Sequence, residues 1–330
     1  MTPFPPLRLS GLAAAAAFGV ALASAAFAAE DAPARTVAIT FDDLPYAGVA
    51  ATGGATSSAV ADAQFVNEAI RTILVDQRVP ATGFVIEHNV RSLEKEGERV
   101  VRRWVRGGLD LGNHGATHAD SNAMTLDEIA GEIDAGAATI APLAAEFERP
   151  LRFYRFAYNH VGDTEEKRVA IEALLAARGY RLAAATIDTS DYVFDAAYVR
   201  ASHDEALQQR IVAAYLAHTL TQVRYYAALN AEVLGREPPA IMLLHVNALN
   251  AAVMEKLLEI FRGEGYAFVS LETAMADPAY AASPAVATKF GPMWGYRWAR
   301  ERGVAVDGSK EEEPPAWVVT YAESGKLEAE

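Results

Sequence analysis

Val37-Ala38-Ile39-Thr40-Phe41-Asp42-Asp43-Leu44-Pro45 is a short apolar and β-branched run that ends in two carboxylates and a proline. A continuous apolar run reads as a buried strand, and Ala59 to Val75 behind it reads as a helix. The order then repeats. Thr82-Gly83-Phe84-Val85-Ile86 is a second strand, followed by a charged helix from Ser92 to Arg106 that Gly107-Gly108 stops. Leu109-Asp110-Leu111-Gly112 is a third strand running into Asn113-His114. Strands that alternate with helical stretches predict an α/β fold around a mostly parallel sheet.

Thr125 and Glu128 predict a capping box and a helix to about Phe147. Arg152 to Phe156 is a strand, Asp163 to Glu166 cap a helix reaching Ala177, and Leu182 to Ile187 is another strand. The next strand, Ala240 to Leu244, comes only after a helical stretch from Asp195 to Val233. That gap exceeds an ordinary connection and predicts two helices. The insertion is expected to lie beyond the strand ends, to shape a pocket there and to tolerate shortening. Its Tyr215, Tyr225 and Tyr226 read as core aromatics between two helices or as a stacking surface. Asn250 to Phe261 is helical, Ala267 to Ser270 is a strand, and Leu271 to Met275 is a helical turn. A C-terminal extension over residues 280–330 carries Trp294, Trp298 and Trp317, and its Lys310 to Pro315 stretch reads as solvated or disordered.

The 330 residues are 52% apolar and 22% charged, which suits one large folded domain over residues 29–279. A formal charge of -14 repels phosphate backbones and excludes nucleic acid as a partner. Without cysteine, disulfides and thiolate ligands are excluded, so a tight metal site requires His and carboxylate. Arg8, the apolar run Leu12 to Phe27, and Ala26 and Ala28 before Ala29-Glu30-Asp31 predict a signal peptide over residues 1–28. Its cleavage would leave a periplasmic or extracellular protein with no stable membrane span. An anchoring helix is the alternative.

Several polar groups stand at or just past predicted strand ends, where βα folds assemble sites. Asp42-Asp43 reads as a carboxylate pair or as turn chemistry. His114 and His118, four apart on a helical turn, read as two metal ligands or as hydrogen-bonded surface histidines. With a carboxylate from another strand end they make a three-ligand set that leaves a position open for water. Arg155 reads as a site residue or a surface ion pair, Asp191 as a site residue or a helix N-cap, and His245 as a site residue or a core histidine. His88, His160, His203 and His218 take the structural reading, least safely for His160 beside the Arg155 segment.

In this order, the segments at Asp42-Asp43, His114/His118, Arg155, Asp191 and His245 resemble the polysaccharide deacetylase family, the family 4 carbohydrate esterases, over about Val37 to Ala274. The resemblance implies a single distorted (β/α) barrel of about seven strands, with a helical insertion before the last strands and a C-terminal tail. It implies Asp42 as catalytic base, Asp43, His114 and His118 as ligands of a divalent metal expected to be Zn²⁺, and Arg155 as the group that orients Asp42. Tyr158 would offer its backbone N–H to the oxyanion, and Asp191 would partner His245, the general acid. The implied reaction removes N-acetyl groups from amino-sugar glycans, chitooligosaccharide- or peptidoglycan-like. Leu44, Ala157 and Tyr192 depart from the glycine, proline and tryptophan of the family motifs and place the substrate in question. Hydrolysis of another small amide, cyclic amide or ester, or carbohydrate binding without turnover, are the alternatives.

Overall fold

The computed structural model describes residues 1–2, 35–49 and 56–327, so the expected signal peptide lies almost wholly outside the described residues. In chain order the elements are β1 (Arg35–Leu44), α1 (Ser57–Asp76), β2 (Ala81–Val85), α2 (Glu87–Ser92), α3 (Glu94–Arg106), β3 (Asp110–Asn113), α4 (Leu126–Gly136), α5 (Ile140–Glu146), β4 (Phe153–Tyr154) and α6 (Glu165–Ala177). They continue with β5 (Arg181–Leu182), α7 (Asp191–Arg200), α8 (Glu205–Leu234), β6 (Ala240–His245), α9 (Ala248–Gly263), β7 (Tyr266–Phe268), α10 (Leu271–Ala274), α11 (Trp294–Arg302) and α12 (Ala316–Ser324).

All strand pairings are parallel, in the order β5-β4-β3-β2-β1-β6, with β7 also on β1. The result is a curled, distorted (β/α) barrel with its helices outside. Leu182 to Ile187 is not one strand as expected. Only Arg181–Leu182 pairs with β4, and the chain then crosses to β6, where Thr186 N–H donates to Ile241 O (2.9 Å) and Leu243 N–H to Ile187 O (3.0 Å). That crossing closes the curl.

Helix boundaries follow local chemistry. The Thr125/Glu128 capping box forms, but the helix expected to reach Phe147 breaks into α4 and α5. The charged helix is likewise preceded by a separate turn, α2, which packs so closely that a Cβ on Gly97 would lie 2.0 Å from Val90 O. Only glycine permits that approach.

The insertion contains the two expected helices, α7 and α8. However, α8 buries Ile211, Tyr215, Val223, Tyr226, Leu229 and Val233 in the main core, which argues against the expected tolerance of shortening. The C-terminal residues join the same core. The Trp298 ring lies tilted at 5.5 Å from that of Tyr280 and edge-on at 5.8 Å from that of Trp294, whose backbone N–H donates to Ala185 O (2.9 Å). In Lys310 to Pro315, Lys310, Glu312 and Glu313 are exposed, as a solvated stretch requires, yet it is anchored, because Glu311 accepts from the Tyr226 and Tyr296 hydroxyls and Glu312 O from Gln222. Among the described residues, no helix is long and apolar enough to cross a membrane.

Candidate active site

Successive residues of a strand face opposite sides, yet Asp42 and Asp43 line one cavity of about 830 Å³ at the carboxyl ends of the strands. The pairing of β1 with β2 shifts register between Phe41 and Leu44, and Asp43 takes a left-handed backbone at φ 65. This irregularity turns both carboxylates inward. Asp42 is 4% exposed, and its Oδ1 accepts from Arg155 Nη1 at 2.7 Å.

The His114 to His118 segment is a loop rather than the expected helical turn, with Gly115 at φ 84 and His118 at φ 62. Glu132, from α4, holds this loop by accepting from Ala116 N–H and Thr117 N–H, each at 2.9 Å. Asn113 Oδ1 accepts from Gly115 N–H at 2.8 Å. Convergence of the two rings is therefore a product of loop geometry. Nδ1–H of His114 donates to Arg155 O (2.7 Å), which leaves the Nε2 lone pair turned toward Asp43 Oδ1 at 3.4 Å. His118 Nε2 lies 3.5 Å from the same oxygen.

Three ligand atoms of Asp43, His114 and His118 lie within 4.8 Å of one another, and Asp43 Oδ1 is buried without a hydrogen bond. A buried acceptor facing two imidazole lone pairs fits a divalent cation. Burial would raise the Asp43 pKa, but the adjacent His114 and then the His245 charge outweigh it and hold the carboxyl well below its ordinary range.

Arg155 is 1% exposed, so the surface ion-pair reading is overturned. Besides Asp42, it donates to Thr40 Oγ1 and Ala184 O, each at 2.8 Å, and its guanidinium lies 4.3 Å from the centre of the Phe84 ring. Every anchor of this group is buried, which fixes Asp42 in turn. Tyr158 lines the cavity at φ 58, with its ring 4.9 Å from that of His118.

His245 ends β6 and is the register partner of Asp42 on β1. Its Nδ1 lies 2.6 Å from Asp191 Oδ1, and its backbone N–H donates to Asp191 Oδ2 at 2.8 Å. Asp191 is wholly buried at the first turn of α7 and is not its N-cap, which is Ser190. Burial lowers the His245 pKa, but the Asp191 charge and hydrogen bond outweigh it, so the imidazole holds its proton well above its ordinary value.

The cavity also includes residues that carry no sequence signal of their own. Tyr46, Asp62, Asp195 and Val199 line it, as do Gly291 and Met293 from the C-terminal extension, beside Asp188 of the strand-end segment that also carries Asp191. Burial, and then the Asp191 charge, push the Asp188 and Asp195 carboxyls up to about 6. Asn247 and Asn250 also contact Asp191 and were missed; two asparagines just after a strand-end histidine, at helix-cap spacing, were the available signal. His160 pairs with Asp120 at 2.7 Å, and His218 packs on Phe194 in the core.

Residues 29–173 match the family model described as polysaccharide deacetylase, a span that includes Asp42, Asp43, His114, His118, Arg155 and Tyr158 but not Asp191 or His245. Among solved structures, the chain is similar to a T48 deacetylase with substrate at 19% identity and a TM-score of 0.48, covering 74% of this chain and 92% of that one. A family 4 carbohydrate esterase from Streptomyces lividans in complex with acetate shows 20% identity and a TM-score of 0.45, covering 74% of this chain and 97% of that one. A CE4 family pseudoenzyme from Bacillus anthracis shows 16% identity and a TM-score of 0.49, covering 74% of this chain and 66% of that one. No curated protein matches.

Proposed function

We propose that this protein, whose residues 29–173 match the family model described as polysaccharide deacetylase, is a member of that family and an exported, metal-dependent hydrolase that removes N-acetyl groups from an amino-sugar glycan, chitooligosaccharide- or peptidoglycan-like. The observation that carries the reading is the pairing of Asp42, held by buried Arg155, with His245, held by buried Asp191, on adjacent strands beside a His2Asp cluster.

Asp43, His114 and His118 would hold the ion, for which zinc suits a nitrogen-rich set without thiolates. Once bound, a divalent ion there polarises the substrate carbonyl and makes water more acidic. Asp42 takes the proton of the attacking water, with Arg155 keeping its carboxylate in place. The backbone N–H of Tyr158 donates to the oxyanion. His245, protonated through Asp191, delivers its proton to the leaving nitrogen, which departs as an amine only when protonated.

A second reading, hydrolysis of another small amide, cyclic amide or ester, draws on Asp195, Ala196 and Val199 of α7, which line the same cavity as His245 and would shape it for a smaller substrate. Acetate release from a panel of N-acetylated glycans and small amides, with elemental analysis of the same sample, tests the proposal. Stoichiometric metal without acetate from any glycan would favour the second reading or binding without turnover.

A further inference from the structure

The Asp191 carboxylate is fully buried, yet its two oxygens are used very unequally. Oδ2 accepts from the His245 backbone N–H (2.8 Å), from Asn247 Nδ2 (3.0 Å) and from Asn250 Nδ2. Among the described residues, Oδ1 is left to the His245 ring alone, at 2.6 Å. Three donors on one oxygen pin the carboxylate against rotation and keep its other oxygen aimed at Nδ1.

This arrangement depends on which way the Asn250 amide faces. Its nitrogen lies against two acceptors, Asp191 Oδ2 and His245 O (2.9 Å), so that end must be the donor. The opposite end is then a buried oxygen, for which a missing donor would be costly. Tyr215, fully buried on α8, donates its hydroxyl to that oxygen at 2.9 Å. An amide turned by 180° would set oxygen against carboxylate and leave the tyrosine facing N–H. Asn247 is set in turn by the Asn250 backbone N–H, which donates to Asn247 Oδ1 at 2.8 Å and leaves Asn247 Nδ2 turned to Asp191.

We propose that Tyr215 and Asn250 are a pair of positioning residues for the reaction, holding Asp191 in the orientation that aligns His245 for proton delivery. The role rests on the function proposed above, in which His245 is the general acid. It gives the α8 insertion a part in the chemistry from inside the core, without touching substrate. The hydroxyl is the working part of Tyr215, since its ring already packs against Phe194 at a centroid distance of 5.2 Å.

The test uses the zinc-loaded mature protein and two readouts. In proton NMR, the short hydrogen bond between His245 Nδ1–H and Asp191 is expected as a low-field resonance, assigned by its loss in His245→Gln. Tyr215→Phe keeps the ring packing and removes one hydroxyl. With fold and metal content intact, it should move that resonance upfield and lower kcat roughly 10-fold, with KM unchanged. Asn250→Ser, which keeps a small polar group in the space, should do at least as much and decides the question if Tyr215→Phe is not recovered folded. A structural role alone would lower the melting temperature and leave resonance and kcat as they were. A wild type without the resonance, or a folded variant with wild-type resonance and kcat, overturns the proposal. Should the wild type show the resonance but hydrolyse no substrate, the functional reading fails while the resonance still decides the positioning role.

Discussion

Asp42 and Asp43 are chemically identical neighbours that take opposite surroundings. Asp42 faces a buried guanidinium at 2.7 Å, whereas Asp43 Oδ1 faces two imidazole nitrogens at 3.4 and 3.5 Å. Asp42→Asn is therefore expected to keep stoichiometric metal and lose activity, since the amide has the shape of the acid but cannot take a proton. Metal lost from that variant would mean that the two aspartates have exchanged roles. His245 and Asp191 give the pH prediction. A carboxylate beside an imidazole raises its pKa, so the proton needed by the leaving group is present below the raised value and lost above it. Asp191→Asn removes that charge and should shift the basic limb of the kcat/KM profile to lower pH. His245→Ala should cut the rate by roughly 10²–10⁴-fold. A basic limb that stays in place in folded, metal-loaded Asp191→Asn would separate the pair. The residue types at these positions were legible in the sequence; their division of labour became an expectation only through the family resemblance.

At the scale of elements, the strands bring every site group to one end of the barrel, and helices outside the sheet secure them. The long α8 is the clearest change from the sequence reading. The insertion is expected from the sequence to lie beyond the strand ends and to tolerate shortening, but one face of α8 enters the main core and carries Tyr215 to Asn250. Removing about three turns from α8 should therefore give a chain that does not fold cooperatively, read by thermal melting. Trp104, on α3, is fully buried, donates its indole N–H to Asp110 O (3.0 Å) and packs edge-on to Phe41 of β1 at 5.7 Å. Trp104→Ala should cost about 3–5 kcal/mol by denaturant unfolding, from lost burial plus the cavity left behind. A cost under about 1 kcal/mol would mean that the site collapses around the gap.

For the whole molecule, metal binding as proposed would be coupled to the fold, because the three candidate ligands come from two separate strand-end segments, β1 and the loop after β3. An ion that binds only the folded site stabilises it by mass action, by about 2.7 kcal/mol at a hundredfold excess over Kd. Chelation should thus abolish hydrolysis and lower the melting temperature, both restored by zinc. Active protein without stoichiometric metal in elemental analysis would remove the cluster from the mechanism. Residues 280–327 belong to the same compact unit as the barrel and supply Gly291 and Met293 to the cavity. A chain ending at residue 279 is accordingly expected to expose Trp-lined core and aggregate, despite keeping every motif residue.

The sequence by itself determined the α/β class, the succession of strands, and the ordered strand-end residues from Asp42 to His245. It could do so because buried parallel strands are written as continuous apolar runs, and their ends as breaks in them. Strand length was less legible past Arg152, where β4 and β5 contribute two residues each and the chain crosses to β6 through contacts between residues far apart in sequence. Only the tertiary structure decided how adjacent aspartates face one cavity, how His114 and His118 converge without a helix, and why α8 and the C-terminal residues are core. Each depends on backbone turns and packing partners that are distant along the chain, and a local pattern of residue types carries no record of them.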